Sequence, residues 1–283
     1  IVIGGEDEHG FAKIELETMT PTAAIGSSAV LSTNRSGIRR TVVEEGPGVP
    51  WETVRQVCKE TLAAAGVFVA ILARAEAFAD PAALSDRDRQ RAMRFRCLIH
   101  RDNFILGRTL VQRLIQPNAA TSPCVVSIGN HGKPYIPGAW AFNVSHSSRW
   151  VACAVARTEP IGLDIEAFER LDDYRGVLRM ISREAEQRWI EQAPSEYREA
   201  LFKRCWTRKE AVLKATGVGL TDDLQAIDVR LHQEEPVLKH PALLRLISLD
   251  ECDPSITASL AVAVSVREVI VMRIDGEARK SGG

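Results

Sequence analysis

None of the six cysteines in this 283-residue chain has a partner at C-x-x-C spacing. Cys58, Cys97, Cys124, Cys153, Cys205 and Cys252 are scattered, and Cys153 stands in the apolar run Val151-Ala152-Cys153-Ala154-Val155. A disulfide framework and a zinc site are both excluded as organising devices, and reduced core thiols suggest a cytoplasmic setting. No apolar run approaches the ~20 residues that a membrane-spanning helix needs. Because the chain opens on Ile1 rather than Met, a removed targeting segment is left open. Neither charge dominates: 36 Lys and Arg against 37 Asp and Glu give a net charge of -1. That excludes the broad basic field that coats nucleic acid, though not a local basic pocket. No Walker loop, G-x-G-x-x-G, H-E-x-x-H or G-x-S-x-G occurs, which removes most common phosphate-loop, dinucleotide, zincin and serine-hydrolase chemistries.

What is present is an ordinary globular balance, 45% hydrophobic and 26% charged, enough to bury a sizeable core. Residues 1–48 are poorly patterned, with Ser, Thr and Gly clustered between Thr18 and Gly37, and read as a leader or extension. Helical spacing of Trp51, Val54, Val57 and Leu62 predicts a helix over 51–65, followed by a buried strand at Val67–Leu72. Ser85 suits the N-cap of an arginine-rich helix, and a second helix is expected from Asp102 to Ile115. Short strands at Phe142–His146, Trp150–Ala156 and Ile161–Glu166 suggest a meander, and helices dominate Ser182–Thr216. Strands are then expected at Ala226–Leu231, Ala242–Ser248, Ser255–Val266 and Val269–Ile274. Helices-then-strands thus occurs twice, predicting an α+β protein of two lobes, 49–158 and 159–275, with a tail at 276–283.

Three segments carry chemistry. In Ile161-Gly162-Leu163-Asp164-Ile165-Glu166 the alternation puts Asp164 and Glu166 on one strand face, ~6.6 Å apart by strand rise. Two such carboxylates can share a hard cation, although taken alone the pattern is more often a solvated strand edge. Further on, Trp206, Glu210 and Lys214 recur every fourth residue and form one helical row starting on a tryptophan. That row is either a helix-stabilising Glu–Lys pair or a carboxylate and ammonium at the core's border awaiting a metal and a phosphate. Ser145-His146 closes a strand at a polar corner where a phosphate could accept hydrogen bonds. Seven arginines between Arg87 and Arg108, against Asp88 and Asp102, form either a solvated face or a polyanion site. The set as a whole suits a polyanionic ligand held through Mg²⁺.

Asn143-Val144-Ser145-His146-Ser147, Gly162-Leu163-Asp164-Ile165-Glu166 and Trp206-Thr207-Arg208-Lys209-Glu210-Ala211-Val212-Leu213-Lys214, with Gly132-Lys133-Pro134 upstream, resemble the signature blocks of the 4′-phosphopantetheinyl transferases. The match is to the larger single-chain class that includes the surfactin-synthetase activator, in its tryptophan/KEA branch, and covers about residues 66–270. The resemblance implies a pseudo-dimer of two similar α+β lobes with the active site between them. It implies that Asp164, Glu166 and Glu210 bind Mg²⁺ with the pyrophosphate of coenzyme A, and that Lys214 neutralises the same phosphates. Ser145 and His146 would hold the 3′-phosphate, and Lys133-Pro134 would shape the adenine and ribose site. Glu210, or a metal-bound water, would serve as base and Lys214 would offset leaving-group charge, while Arg91 and Arg108 are the expected phosphate contacts of the arginine-rich helix. Relatives often carry a cation one turn before Arg91, where this chain has Asp88.

The partner implied is an apo acyl- or peptidyl-carrier protein, with no nucleic acid and no membrane, served by a monomer. Two other classes share some of these residues. A Mg²⁺-dependent nucleotide pyrophosphate hydrolase would turn over without a carrier, and a non-enzymatic carrier-binding module would leave Asp164, Glu166 and Glu210 unexplained.

Overall fold

A computed structural model describes residues 2–6, 12–15, 29–33, 38–45, 49–73, 80–115, 123–129, 131–168, 174–219, 224–239 and 242–274. Asn130 and the 276–283 tail lie outside these residues. Among the described residues β1 (Val2–Glu6) and β2 (Ala12–Glu15) form a two-stranded antiparallel sheet of their own. The first large sheet has the order β3-β4-β14-β5-β9-β8, built from β3 (Ala29–Thr33), β4 (Arg39–Glu45), β5 (Val67–Ala73), β8 (Ala141–Ser147), β9 (Trp150–Ala156) and β14 (Glu268–Ile274). The second has the order β10-β13-β12-β11, from β10 (Ile161–Ala167), β11 (Val237–Lys239), β12 (Leu243–Ser248) and β13 (Ile256–Ala263). A short hairpin of β6 (Ser127–Ile128) and β7 (Pro134–Tyr135) precedes β8.

The layering follows from strand periodicity. In β5 and β9 every residue is buried, so these central strands read as unbroken apolar runs. One set of alternate residues, Val67, Val69, Ile71, Ala152 and Ala154, packs against Ile161, Leu163 and Ile165 of the second sheet. The other set, Phe68, Ala70, Leu72, Val151 and Val155, packs under α1 (Trp51–Ala63) and α3 (Leu98–Ile115). The second sheet repeats the plan: Leu244, Leu246 and Ala261 lie under α4 (Tyr174–Ile181), α5 (Glu184–Gln192) and α6 (Ser195–Thr216). Two helix-covered sheets therefore meet on their inner faces, the two-lobed α+β arrangement expected from the repeated order. Ser85 does cap α2 (Asp86–Ala92), its hydroxyl accepting from the Asp88 amide at 3.2 Å.

Three expectations need correction. β4 lies inside the 1–48 stretch read as a leader, yet it pairs along its whole length with β14 and is sheet, not leader. β14, assigned by its position to the 159–275 lobe, runs between β4 and β5 in the first sheet. Both pairings are parallel and distant in sequence, and local apolar alternation carries no information about which sheet a strand joins. The expected strand at Ala226–Leu231 is not one: a 3-10 turn at Leu224–Ala226 leads into irregular chain, with Arg230 at a positive φ of 47°. Side chains of α6 take the place of a neighbouring strand there. Lys209 Nζ donates to the carbonyls of Leu224 and Ile227, and Arg208 Nη1 to those of Val229 and Arg230.

Candidate active site

The site forms where β10 passes between α6 and β8. A Cβ on Gly162 would stand 2.1 Å from the Ala211 carbonyl oxygen and 2.4 Å from the Ala215 amide nitrogen. Only glycine lets the helix backbone lie this close to the strand. With α6 seated there, the row Trp206, Glu210, Lys214 faces the strand's Asp164 and Glu166. Lys214 Nζ donates to Asp164 Oδ1 at 2.6 Å and to Ser145 Oγ at 3.0 Å. Trp206 Nε1 donates to Glu166 Oε1 at 3.2 Å.

From the other side β8 supplies a ladder of side chains to the β10 backbone. Asn143 Oδ1 accepts from the Leu163 amide at 2.8 Å, Ser145 Oγ from Ile165 at 3.3 Å, and Ser147 Oγ from Ala167 at 3.1 Å. The two hydroxyls each donate onward, Ser145 to Asp164 Oδ1 at 3.0 Å and Ser147 to Glu166 Oε2 at 2.7 Å. Edge strands of two sheets are thereby joined through side chains, and the same atoms orient both carboxylates. Asn143 and Ser147 were not singled out as site residues from sequence. Their signal is the i, i+2, i+4 alternation of Asn143, Ser145 and Ser147, which matches the period of Gly162, Asp164 and Glu166.

The electrostatics favour a bound cation. Burial raises the Asp164 carboxyl above its ordinary range, with Lys214 and Ser145 opposing. Burial also raises Glu166 and Glu210, and the charge of Asp164 pushes both further in the same direction. Asp164 Oδ2 is buried and has no hydrogen-bond partner, a costly state for a carboxylate oxygen. Among the described residues no three acidic, imidazole or thiol side chains are already gathered closely enough to hold an ion. Glu166 is turned to Trp206 and Ser147, and Asp164 Oδ1 to Lys214. A set of desolvated, mutually repelling carboxylate oxygens with one orphan is nonetheless a donor set that fits a hard divalent cation.

The remaining expected residues separate into those near the site and those engaged elsewhere. His146 follows Ser145 on β8 and keeps part of its ring in solvent. Crowding by neighbouring atoms and then the Lys214 charge lower its pKa, so the neutral imidazole is favoured. Arg91 lines a cavity of about 570 Å³ with Arg87, Gln90, Arg94 and Phe95, and its guanidinium lies 5.3 Å from the Phe104 ring. Arg108, expected at the phosphates, is buried instead: it pairs with Asp88 at 3.4 Å and stacks on the same Phe104. The acidic residue standing where relatives often have a cation is thus Arg108's internal partner. Lys133 reaches Glu159 Oε2 at 2.6 Å and the carbonyls of Ile161 and Ala215 at 3.0 and 3.4 Å. Its ammonium ties the loop before β7 to β10 and α6, and Pro134 stands in the β6–β7 hairpin.

The structure thus brings Asp164, Glu166 and Lys214 together through hydrogen bonds shared with Ser145, Ser147 and Trp206, while the arginine-lined cavity is formed by a separate set of residues. Comparison with known proteins gives the family. Residues 160–258 match the family model of the 4′-phosphopantetheinyl transferase superfamily. The chain is 33% identical over 193 residues to the 4′-phosphopantetheinyl transferase HetI of Nostoc sp., covering 64% of this chain and 79% of that protein. It is 32% identical over 177 residues to the transferase psf-1 of Bacillus pumilus, covering 59% and 75%. Against the transferase Sfp of Bacillus subtilis the identity is 33% over 168 residues, covering 54% and 69%. The chain belongs to the 4′-phosphopantetheinyl transferase superfamily and is an enzyme of that kind.

Proposed function

We propose that this enzyme moves 4′-phosphopantetheine from coenzyme A to a serine of an apo acyl- or peptidyl-carrier protein, using Mg²⁺ held by Asp164, Glu166 and Glu210. The observation that carries the assignment of residues is the buried, unpartnered Asp164 Oδ2 among three carboxylates of raised pKa. When bound, the ion neutralises phosphate charge and polarises the phosphorus for attack. Lys214, which donates to Asp164 at 2.6 Å, would bind the same pyrophosphate. Ser145 and His146 would take the 3′-phosphate, and the cavity beside Arg91 offers further cationic contacts.

In the reaction the serine oxygen bonds to the β-phosphorus of coenzyme A and the bridging P–O bond breaks, releasing 3′,5′-ADP. Glu210 accepts the serine proton, the role of a general base. Lys214 offsets charge on the departing phosphate. Ser147 and Trp206 hold Glu166, so a carboxylate that must not swing away is fixed at both oxygens. Both halves of the site come from one chain, which suits a monomer. Among the described residues no helix is long and apolar enough to cross a membrane.

The test is intact mass of a purified apo-carrier after incubation with enzyme, coenzyme A and Mg²⁺, with an EDTA control. A gain of one phosphopantetheine, lost with EDTA and with the carrier serine replaced by alanine, is the expected result. Consumption of coenzyme A with no gain on fatty-acid, polyketide or peptide carriers would mean a hydrolase instead.

A further inference from the structure

β4 lies outside the 160–258 stretch matched by the family and outside the 66–270 span of the sequence resemblance. Its Arg40 is nevertheless 6% exposed and reaches into the second lobe. Arg40 Nη1 donates to the Ser248 carbonyl at 2.6 Å, Nη2 stands 4.0 Å from Glu234, and Nε 3.7 Å from Glu235. Arg208 of α6 meets two of the same residues. Its Nη2 donates to the Glu234 carbonyl at 2.6 Å and to Ser248 Oγ at 3.3 Å. Ser248 is therefore held from one side by β4 and from the other by the helix that carries Glu210 and Lys214, with the half-exposed Glu234 carboxylate at the outer limit of an ion pair to Arg40. Arg208 is 1% exposed and points away from the Trp206–Glu210–Lys214 row, so it anchors the back of the helix while the row works in front. A second tie holds β4 in place: Arg273 of β14 lies 3.2 Å from Glu44 and 2.7 Å from Asp253.

We infer that Arg40 is a positioning residue for the transferase: through Ser248 and Glu234 it sets where α6 stands over β10, and so where Lys214 and Glu210 meet the pyrophosphate. A guanidinium is needed because one planar group must bridge a carbonyl and two carboxylates, which an ammonium does not span. The inference rests on the transferase reading, and the wild-type protein in the same assay tests that reading by itself.

The experiment compares full-length wild type, Arg40→Lys and Arg40→Ala by steady-state transfer to an apo-carrier in saturating Mg²⁺, well below the melting temperature of each. The expected result is a rise of about tenfold in the KM for coenzyme A, larger for Ala than for Lys, with the KM for the carrier unchanged. A merely structural loss lowers the folded fraction, hence kcat, and moves neither KM. If Arg40→Ala does not fold, Arg40→Lys carries the test. A KM for coenzyme A within about twofold of wild type would overturn the positioning role. No transfer by the wild type would overturn the underlying reading, and this inference with it.

Discussion

Replacing Gly162 by alanine adds one methyl group, and the crossing of β10 and α6 makes its effect calculable. The new Cβ would lie 2.1 Å from the Ala211 carbonyl oxygen, where ordinary contact begins near 3.4 Å. The clash is with backbone on both near contacts, Ala211 and Ala215, so no side chain can rotate to relieve it. The helix must lift by about 1 Å, and overpacking of this kind costs roughly 1–3 kcal/mol of stability. The larger effect falls on activity. Lifting α6 withdraws Glu210 and Lys214 from Asp164, and a misplacement of this size costs on the order of 10²-fold in rate. Gly162→Ala should therefore melt a few degrees lower yet remain folded by circular dichroism, while transfer to the apo-carrier falls about 10²-fold. Wild-type kcat in a folded Gly162→Ala protein would refute the claim that this close approach places the row.

Other substitutions probe separate parts of the site. Asp164→Ala and Glu210→Ala should each abolish transfer with the fold intact; normal activity in either removes that residue from the metal set. Asn143→Ala leaves the Leu163 amide without its acceptor, so differential scanning calorimetry should show a loss of about 1–3 kcal/mol, and an unchanged profile would deny the ladder a role in joining the sheets. Lys209→Met strands Glu186 in a buried pair whose side chains are 1% and 4% exposed, with an expected loss of about 3–5 kcal/mol in denaturant titration. The metal-free protein should lose stability as pH rises. Asp164, Glu166 and Glu210 all have raised pKa values in the fold, so their contribution is present below the unfolded carboxylate range and is lost as pH climbs through the folded values. Melting temperature should thus fall between about pH 4 and neutrality without metal, and Mg²⁺ at pH 7.5 should restore it. A flat metal-free profile would count against the three carboxylates being neighbours.

Much of the site could be read from the chain because each part is local. The alternation at Ile161–Glu166 placed Asp164 and Glu166 on one face, and four-residue spacing placed Trp206, Glu210 and Lys214 in one row. What was illegible depends on contacts between segments. Arg208 and Lys209 stand inside a recognisable motif, yet nothing local says that they are buried and serve the carbonyls of 224–234. Arg108 looked like its neighbours in an arginine-rich stretch, and only packing turns it inward to Asp88. β4 alternates weakly and carries two arginines at its start, so its place in a sheet becomes visible only once β14 lies beside it.

That placement of β14 bears on how the protein comes to be folded. On a ribosome the helices and strands of the first lobe emerge early, but the strand that fills the gap between β4 and β5 is made after the whole second lobe. Until residue 274 is synthesised, two buried strand edges face an empty slot, the kind of exposed template that recruits wrong partners. The second lobe must form while its predecessor waits, and the last strand then closes both at once. Cutting the chain between the lobes would therefore yield a first fragment without its central strand, and neither piece would be a domain in its own right.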